Sequence, residues 1–144
     1  MAGSLTSATA VYMLTIPGVF SSPQQLQQFA ADDIFSTEML KSVEVSMGVD
    51  GILSGGFVFV PVVQSIMLQA NSPSLEQFDQ WWSAMQVAQE TYTAQAVITL
   101  KSLGKKWAMT QGFLTGYMPI PDAGKTLKPR KMEITWQQAV PNPT

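Results

Sequence analysis

Asp32 and Asp33 are the only adjacent carboxylates in the chain. Paired carboxylates can exchange protons with a substrate or hold Mg²⁺ or Ca²⁺. Nothing beside them completes a loop of calcium-binding spacing, and as a solvated acidic loop the pair needs no further role. The sequence contains no His and no Cys. Thiol nucleophiles, disulfides, the usual zinc sites and Ser-His triads are therefore excluded. Carboxylates, Lys, Tyr and Ser remain, and they are not grouped. The glycines of Gly48-Val49-Asp50-Gly51 and Ser54-Gly55-Gly56 lack the spacing of a phosphate cradle and open no helix. Lys125, Lys128, Arg130 and Lys131, with Trp107 and Tyr117 in the same half of the chain, could suggest a nucleic-acid surface. The sequence pI of about 4.9 argues against sustained phosphate binding. A solvated loop or an acidic protein partner fits that run better. The expectation is a protein that is not an enzyme and uses no cofactor and no metal.

Composition points toward association. Apolar residues make up 46% of the 144, enough for one core, while charged residues make up only 12%. That is about half the usual share of about 25%, so much of the surface is expected to be covered, with self-association the economical cover. The charges are also sorted along the chain. Residues 1–90 hold eight acidic side chains and one basic, Lys41; residues 91–144 hold seven basic and two acidic. If the fold keeps the halves apart, the molecule has two poles and can stack head to tail on copies of itself. If strands of the two halves interleave, the sorting disappears in three dimensions. No apolar run is long enough for a membrane-spanning helix, and the N-terminus does not read as a secretory leader.

The elements follow from period and punctuation. Residues 9–16 read as a strand stopped by Pro17-Gly18. Residues 21–39 read as a meandering acidic loop or a short helix at 23–29. Residues 41–47 alternate, with Val43, Val45 and Met47 on one face and Ser42, Glu44 and Ser46 on the other, as in a half-buried strand. The glycine-rich segment 47–60 then forms an apolar arm, whose Ile52, Leu53, Phe57 and Phe59 are costly to leave in water. Pro61 marks a bulge, an edge or a strand start within 57–70. Residues 72–90 form an amphipathic helix after Ser72 and Pro73, with Ser74 and Gln77 as an alternative capping box. Of Trp81 and Trp82, one is expected in the core and the other beside an interface. Residues 92–100 and 107–115 form a hairpin, 117–129 a long loop and 131–138 a last strand. The sum is a single mainly β (α+β) domain over 1–144, a β-sandwich or rolled antiparallel sheet of five or six strands. It carries one flanking helix, a long hairpin arm, a loose N-terminus over 1–8 and an extended tail over 139–144.

The order of these segments is familiar. AVYMLTIPG, VEVSMGVDGILSGGF, IMLQANSPSLEQFDQWW, the hairpin LGKKWAMTQGFLTGYMPIPDAGKTLKPR and the final MEITWQQAVP, spanning about residues 9–140, resemble the tail tube (inner tube) proteins of tailed, contractile bacteriophages. The tube of the type VI secretion system shares their general fold. The resemblance rests on segment order and wording and carries no catalytic signature.

The resemblance implies a structural virion protein of the tail, assembled in the bacterial host cytoplasm. Its copies would form hexameric rings stacked into a tube through which DNA passes without sequence-specific binding. Sheath, baseplate and terminator proteins would be its partners, with no membrane insertion of its own. It further implies that the long hairpin reaches an adjacent subunit or ring. Glu44 is the candidate to line the lumen, where an acidic or neutral wall lets DNA slide. The basic residues Lys125, Lys128, Arg130 and Lys131 are candidates to meet Asp32, Asp33 and Glu38 of the next ring. The alternative is an adaptor or baseplate-type binding module without enzymatic activity.

Overall fold

The computed structural model describes residues 10–30 and 34–143. The expected loose terminus at 1–8 and the Asp32-Asp33 pair lie outside the described residues. The strands are β1 (Ala10–Ile16), β2 (Phe20–Gln25), β3 (Phe35–Thr37), β4 (Val43–Met47), β5 (Leu53–Phe57) and β6 (Val62–Leu68). Helix α1 (Leu75–Ala88) follows, then β7 (Ala94–Leu100), β8 (Lys105–Tyr117), β9 (Arg130–Trp136) and β10 (Gln138–Pro143).

Eight strands form one antiparallel ladder in the order β2-β1-β7-β8-β9-β6-β3, with β10 beside β8. The ladder is rolled. On a flat sheet β1 and β6, four strand spacings apart, would stand about 19 Å from each other. Yet the Tyr12 hydroxyl on β1 donates to Gln64 Oε1 on β6 at 2.6 Å. The Tyr12 and Phe35 rings meet edge to face at 5.7 Å. Among the described residues β2 and β3 do not pair with each other, so the roll stays open. Alternation turns Tyr12, Leu14 and Ile16, Ile66 and Leu68, Ala96 and Ile98, and Met132, Ile134 and Trp136 into the shared core.

Strand β8 makes the turn between the two halves of the roll. Its first part pairs with β7 and β10, its second with β9. Where it changes partner, Gln111 has φ 48° and the register shifts between Ala94 and Ala96. An irregularity of this kind bends a strand and re-aims its side chains. Gly112 follows at once, and a Cβ there would lie 2.5 Å from the buried Trp136 ring. The glycine is therefore needed for the indole to seat against the bend.

Helix α1 buries Leu75, Phe78 and Trp81 on the roll. The expected caps take other work: Ser74 Oγ accepts from Gln27 N at 2.7 Å and makes no cap bond to the helix. Ser72 Oγ accepts from Ser74 N and donates to Gln27 O. The helix start is thus tied to the segment after β2. Trp81 is the core tryptophan, while Trp82 stacks on Tyr117 at 5.1 Å.

Two expectations about the body need correction. The strand number exceeds five or six. Residues 20–25 form an edge strand on β1, where Pro23 is tolerated because an edge leaves one side of its backbone unpaired. The extended tail pairs with β8 as β10. Of the two alternatives left open for the sorted halves, the interleaved one holds for the strands: β1 pairs with β7 and β6 with β9.

Gly112→Ala is expected to lower unfolding stability by about 1–3 kcal/mol, because the new methyl must displace Trp136 or the bend. Gly56→Ala, where a Cβ meets nothing within 4 Å, should stay within about 0.5 kcal/mol of wild type. Chemical denaturation checks the pair, and equal losses would contradict the packing argument.

Candidate functional site

Two features dominate the rest of the molecule: a free arm, and a polar lock that holds the helix to the sheet near the long basic loop. The arm is the β4–β5 hairpin. Its register runs from Val43 opposite Phe57 to Met47 opposite Leu53. At the tip, Gly48 N donates to Ile52 O and Gly51 N to Gly48 O, while Asp50 Oδ1 accepts from Ile52 N. Gly51 takes φ +84°, which a glycine adopts without strain. At the base, Val58 N donates to Ser42 O.

Among the described residues, the two arm strands pair only with each other. The expected half-buried face of 41–47 is therefore corrected, because every residue of β4 and β5 is exposed. Val43, Val45, Met47, Val49, Ile52, Leu53, Phe57 and Phe59 all stand in water, Phe59 at 94%. Phe57 and Phe59 meet edge to face at 4.9 Å. The four residues assigned to the arm from sequence are thus on it, with four more apolar neighbours. The alternation of Val43, Val45 and Met47 is the visible signal for three of those, but alternation alone does not say which surface receives the apolar face. Glu44 lies on this arm opposite Gly56. By strand alternation it projects from the face opposite Val43, Val45 and Met47.

The lock joins Asp79 of α1 to the β8–β9 connection. Arg130 Nη2 donates to Asp79 Oδ1 at 2.9 Å, and Arg130 Nε donates to Met118 O at 2.9 Å. The Tyr117 hydroxyl also donates to Asp79 Oδ1. The Arg130 guanidinium lies 5.5 Å from the centre of the Tyr117 ring, whose other partner is Trp82. Partial burial would raise the Asp79 pKa, but the Arg130 and Tyr117 hydrogen bonds and the Arg130 charge outweigh it and hold the carboxyl below its ordinary value. Desolvation and the bond to Asp79 push Tyr117 up. For Arg130, burial works downward, yet Asp79 more than compensates and the guanidinium is held charged.

This places the ring-stacking candidates on different footings. Arg130 is only 5% exposed and spent within the chain, so it is not a surface contact. Position 130 opens β9 and faces inward by strand alternation, a consequence of register that a run of basic residues hides. Lys125, Lys128 and Lys131 are exposed, and so is Glu38. Lys125 borders an open cleft with Gln69, Asn71 and Leu127. Asp32 and Asp33 lie outside the described residues. Asp79, Tyr117 and Trp82, missed from sequence as a group, are far apart along the chain and carry no shared motif.

Breaking the lock is expected to cost stability. Asp79 is 46% exposed and can turn to water, so Arg130→Met should lose about 1–3 kcal/mol, measured by thermal unfolding. Because the Asp79 pKa is depressed, its contribution is complete above the ordinary carboxylate value of about 3.9. It is lost as pH falls through the lower folded value. Asp79→Asn should remove that part of the acid limb, and identical acid limbs would refute the coupling.

Comparison with known proteins follows the same outline. Residues 4–140 match the family described as tail fiber protein gp32. Among curated proteins none matches the sequence. Solved structures share the fold at low identity. A chain of the PVC extracellular contractile injection system sheath-tube complex in the extended state aligns with TM-score 0.59 and 11% identity, over 92% of this chain and 88% of that one. A chain of the anti-feeding prophage baseplate aligns with TM-score 0.56 and 15% identity, over 99% and 98%. A chain of the anti-feeding prophage tube-terminating cap aligns with TM-score 0.59 and 8% identity, over 100% and 95%. The fold is thus shared with chains of contractile injection systems, and the chain, matched over nearly its whole length, belongs to the tail fiber protein gp32 family.

Proposed function

We propose that this chain is a non-enzymatic structural subunit of a contractile tail, whose copies close into hexameric rings and stack as the tube through which DNA passes. The observation that carries the reading is the free arm. Eight large apolar side chains on a hairpin that pairs only with itself form a surface that needs a partner. A two-stranded hairpin alone in water is marginal at best, so docking on a neighbour would also hold its shape. A heterologous contact of this kind generates rings when the rotation closes and filaments when it does not. The fold shared with chains of a sheath-tube complex and of a tube-terminating cap supports the reading, and makes sheath and terminator proteins the natural partners.

A second reading is favoured by one observation. The likeness to a chain of a prophage baseplate covers almost all of both chains. On that reading the arm grips a different protein, and the chain is an adaptor present in one fixed number of copies.

The arm decides whether copies associate. Replacing Val45, Ile52 and Phe57 together by Ser should abolish self-association and leave the melting temperature of the body within a few degrees of wild type. Sedimentation velocity across a concentration series reads the first outcome and calorimetry the second. Unchanged assembly would refute the role of the arm. Wild type that stays monomeric but forms a defined complex with a baseplate partner would move the adaptor reading to first place.

A further inference from the structure

Strand β6 turns Val62, Gln64, Ile66 and Leu68 inward, and Gln64 is the polar member of that stripe. It is only 2% exposed. Its oxygen is fully used: Oε1 accepts from the Tyr12 hydroxyl at 2.6 Å and from Trp136 Nε1 at 3.3 Å. An indole N–H can only donate, so the atom facing Trp136 is the oxygen, and the orientation of the amide is fixed. The nitrogen is half used. An amide nitrogen has two hydrogens to donate. One reaches Thr37 Oγ1 at a long 3.4 Å, and the other meets no acceptor among the described residues. A buried donor left in this way calls for a partner.

Gln64 lines a recess of about 350 Å³ at one end of the roll. The walls include Phe35 of β3, Ile98 and Leu100 of β7, and Trp107 and Met109 of β8. Among the described residues, none that line the recess carries a charge. A concave, mainly apolar space of this size in the mouth of a rolled sheet, with a few polar groups, is the usual form of a small-molecule site. A cavity of about 150 Å³ holds one benzene, so this one admits a body about twice as large. The wall chemistry narrows the occupant further. An ionised ligand would lose its hydration with no counter-charge to replace it. A ligand without oxygen would leave the Gln64 N–H unpaired.

The geometry points to this recess as a binding site for a neutral, mainly apolar small molecule with one oxygen acceptor, such as an aryl or short alkyl carbonyl compound. The apolar body packs against Ile98, Trp107 and their neighbours, and the oxygen takes the spare N–H of Gln64. The Tyr12 and Trp136 bonds hold the amide in place before the ligand arrives, so binding needs no rearrangement of the polar group. The site lies on the body of the subunit and not on the arm, so it goes beyond the structural role and stands whether or not copies associate.

Three probes of nearly one shape test this: acetophenone, α-methylstyrene, which has a methylene in place of the carbonyl oxygen, and benzoate, which is charged. Ligand-observed saturation-transfer NMR on the full chain reads binding at any state of association. Acetophenone should bind about tenfold more tightly than α-methylstyrene, the worth of one buried hydrogen bond, and benzoate should bind more weakly than acetophenone. Equal binding of acetophenone and α-methylstyrene would mean that the Gln64 N–H does not meet the ligand, and overturns the assignment, as does tighter binding of benzoate or no binding of any probe. Location is read from a variant that spares the core. Ala139 lines the recess from β10, and Ala139→Phe should fill it, abolish acetophenone binding and leave the melting temperature within a few degrees of wild type. Should that variant not fold, the side-chain amide signals of Gln64 in the ¹⁵N-labelled wild type give the same answer: they should shift with acetophenone and stay in place with α-methylstyrene. Undiminished binding by a folded Ala139→Phe chain, or binding lost when Val45, Ile52 and Phe57 of the arm are changed to Ser, places the probe elsewhere and overturns the site.

Discussion

Water is a poor solvent for the β4–β5 hairpin, and the organisation of the molecule around it follows from that. Eight large apolar side chains stand exposed on an arm of two short strands. Covering them is worth on the order of 10 kcal/mol before the costs of association are subtracted. The arm cannot collapse into a core of its own, since two strands enclose nothing. Its glycines lower the steric cost of the tip and of close approach to another surface. Charged residues make up only 12% of the sequence, so few charges offset this apolar surface.

An arm transmits force or position only if its base is fixed. Here the base enters β6 through the stretch containing Pro61, at the Val62–Trp136 end of its pairing with β9. The roll behind it is braced across its interior by Tyr12 and Gln64, and at its bend by Trp136 seated over Gly112. The helix is held by the Arg130–Asp79 pair with Tyr117 and Trp82 stacked beside it. The charged residue most deeply placed in the described structure thus serves the subunit and not its contacts. The lysines are exposed, with Lys101, Lys105 and Lys106 at the β7–β8 turn and Lys125 and Lys128 on the long loop.

Much of this was legible from sequence, and the exceptions have physical causes. Strong periodicity located β1, β7, β9 and α1 to within a few residues. The glycine-rich segment between two apolar runs marked the arm. The strand of Phe20–Gln25 was hidden because it is polar and contains a proline, features an edge position permits. β10 was hidden for the same reason, with Pro141 and Pro143 in its sequence. The alternation at 43–47 marks a strand but not its burial, because alternation says that one face is apolar and not whose core receives it. Arg130 was grouped with surface lysines because composition carries no register. Asp79 could be found as its partner only once the helix had been laid across β8 and β9.

The central claim is that the arm finds its partner on another copy. Negative-stain electron microscopy of the wild-type protein alone, after concentration, addresses this most directly. Rings or stacked hollow tubes are the expected result. Uniform particles of monomer size at every concentration would contradict it, and would mean that the arm is covered by a different protein.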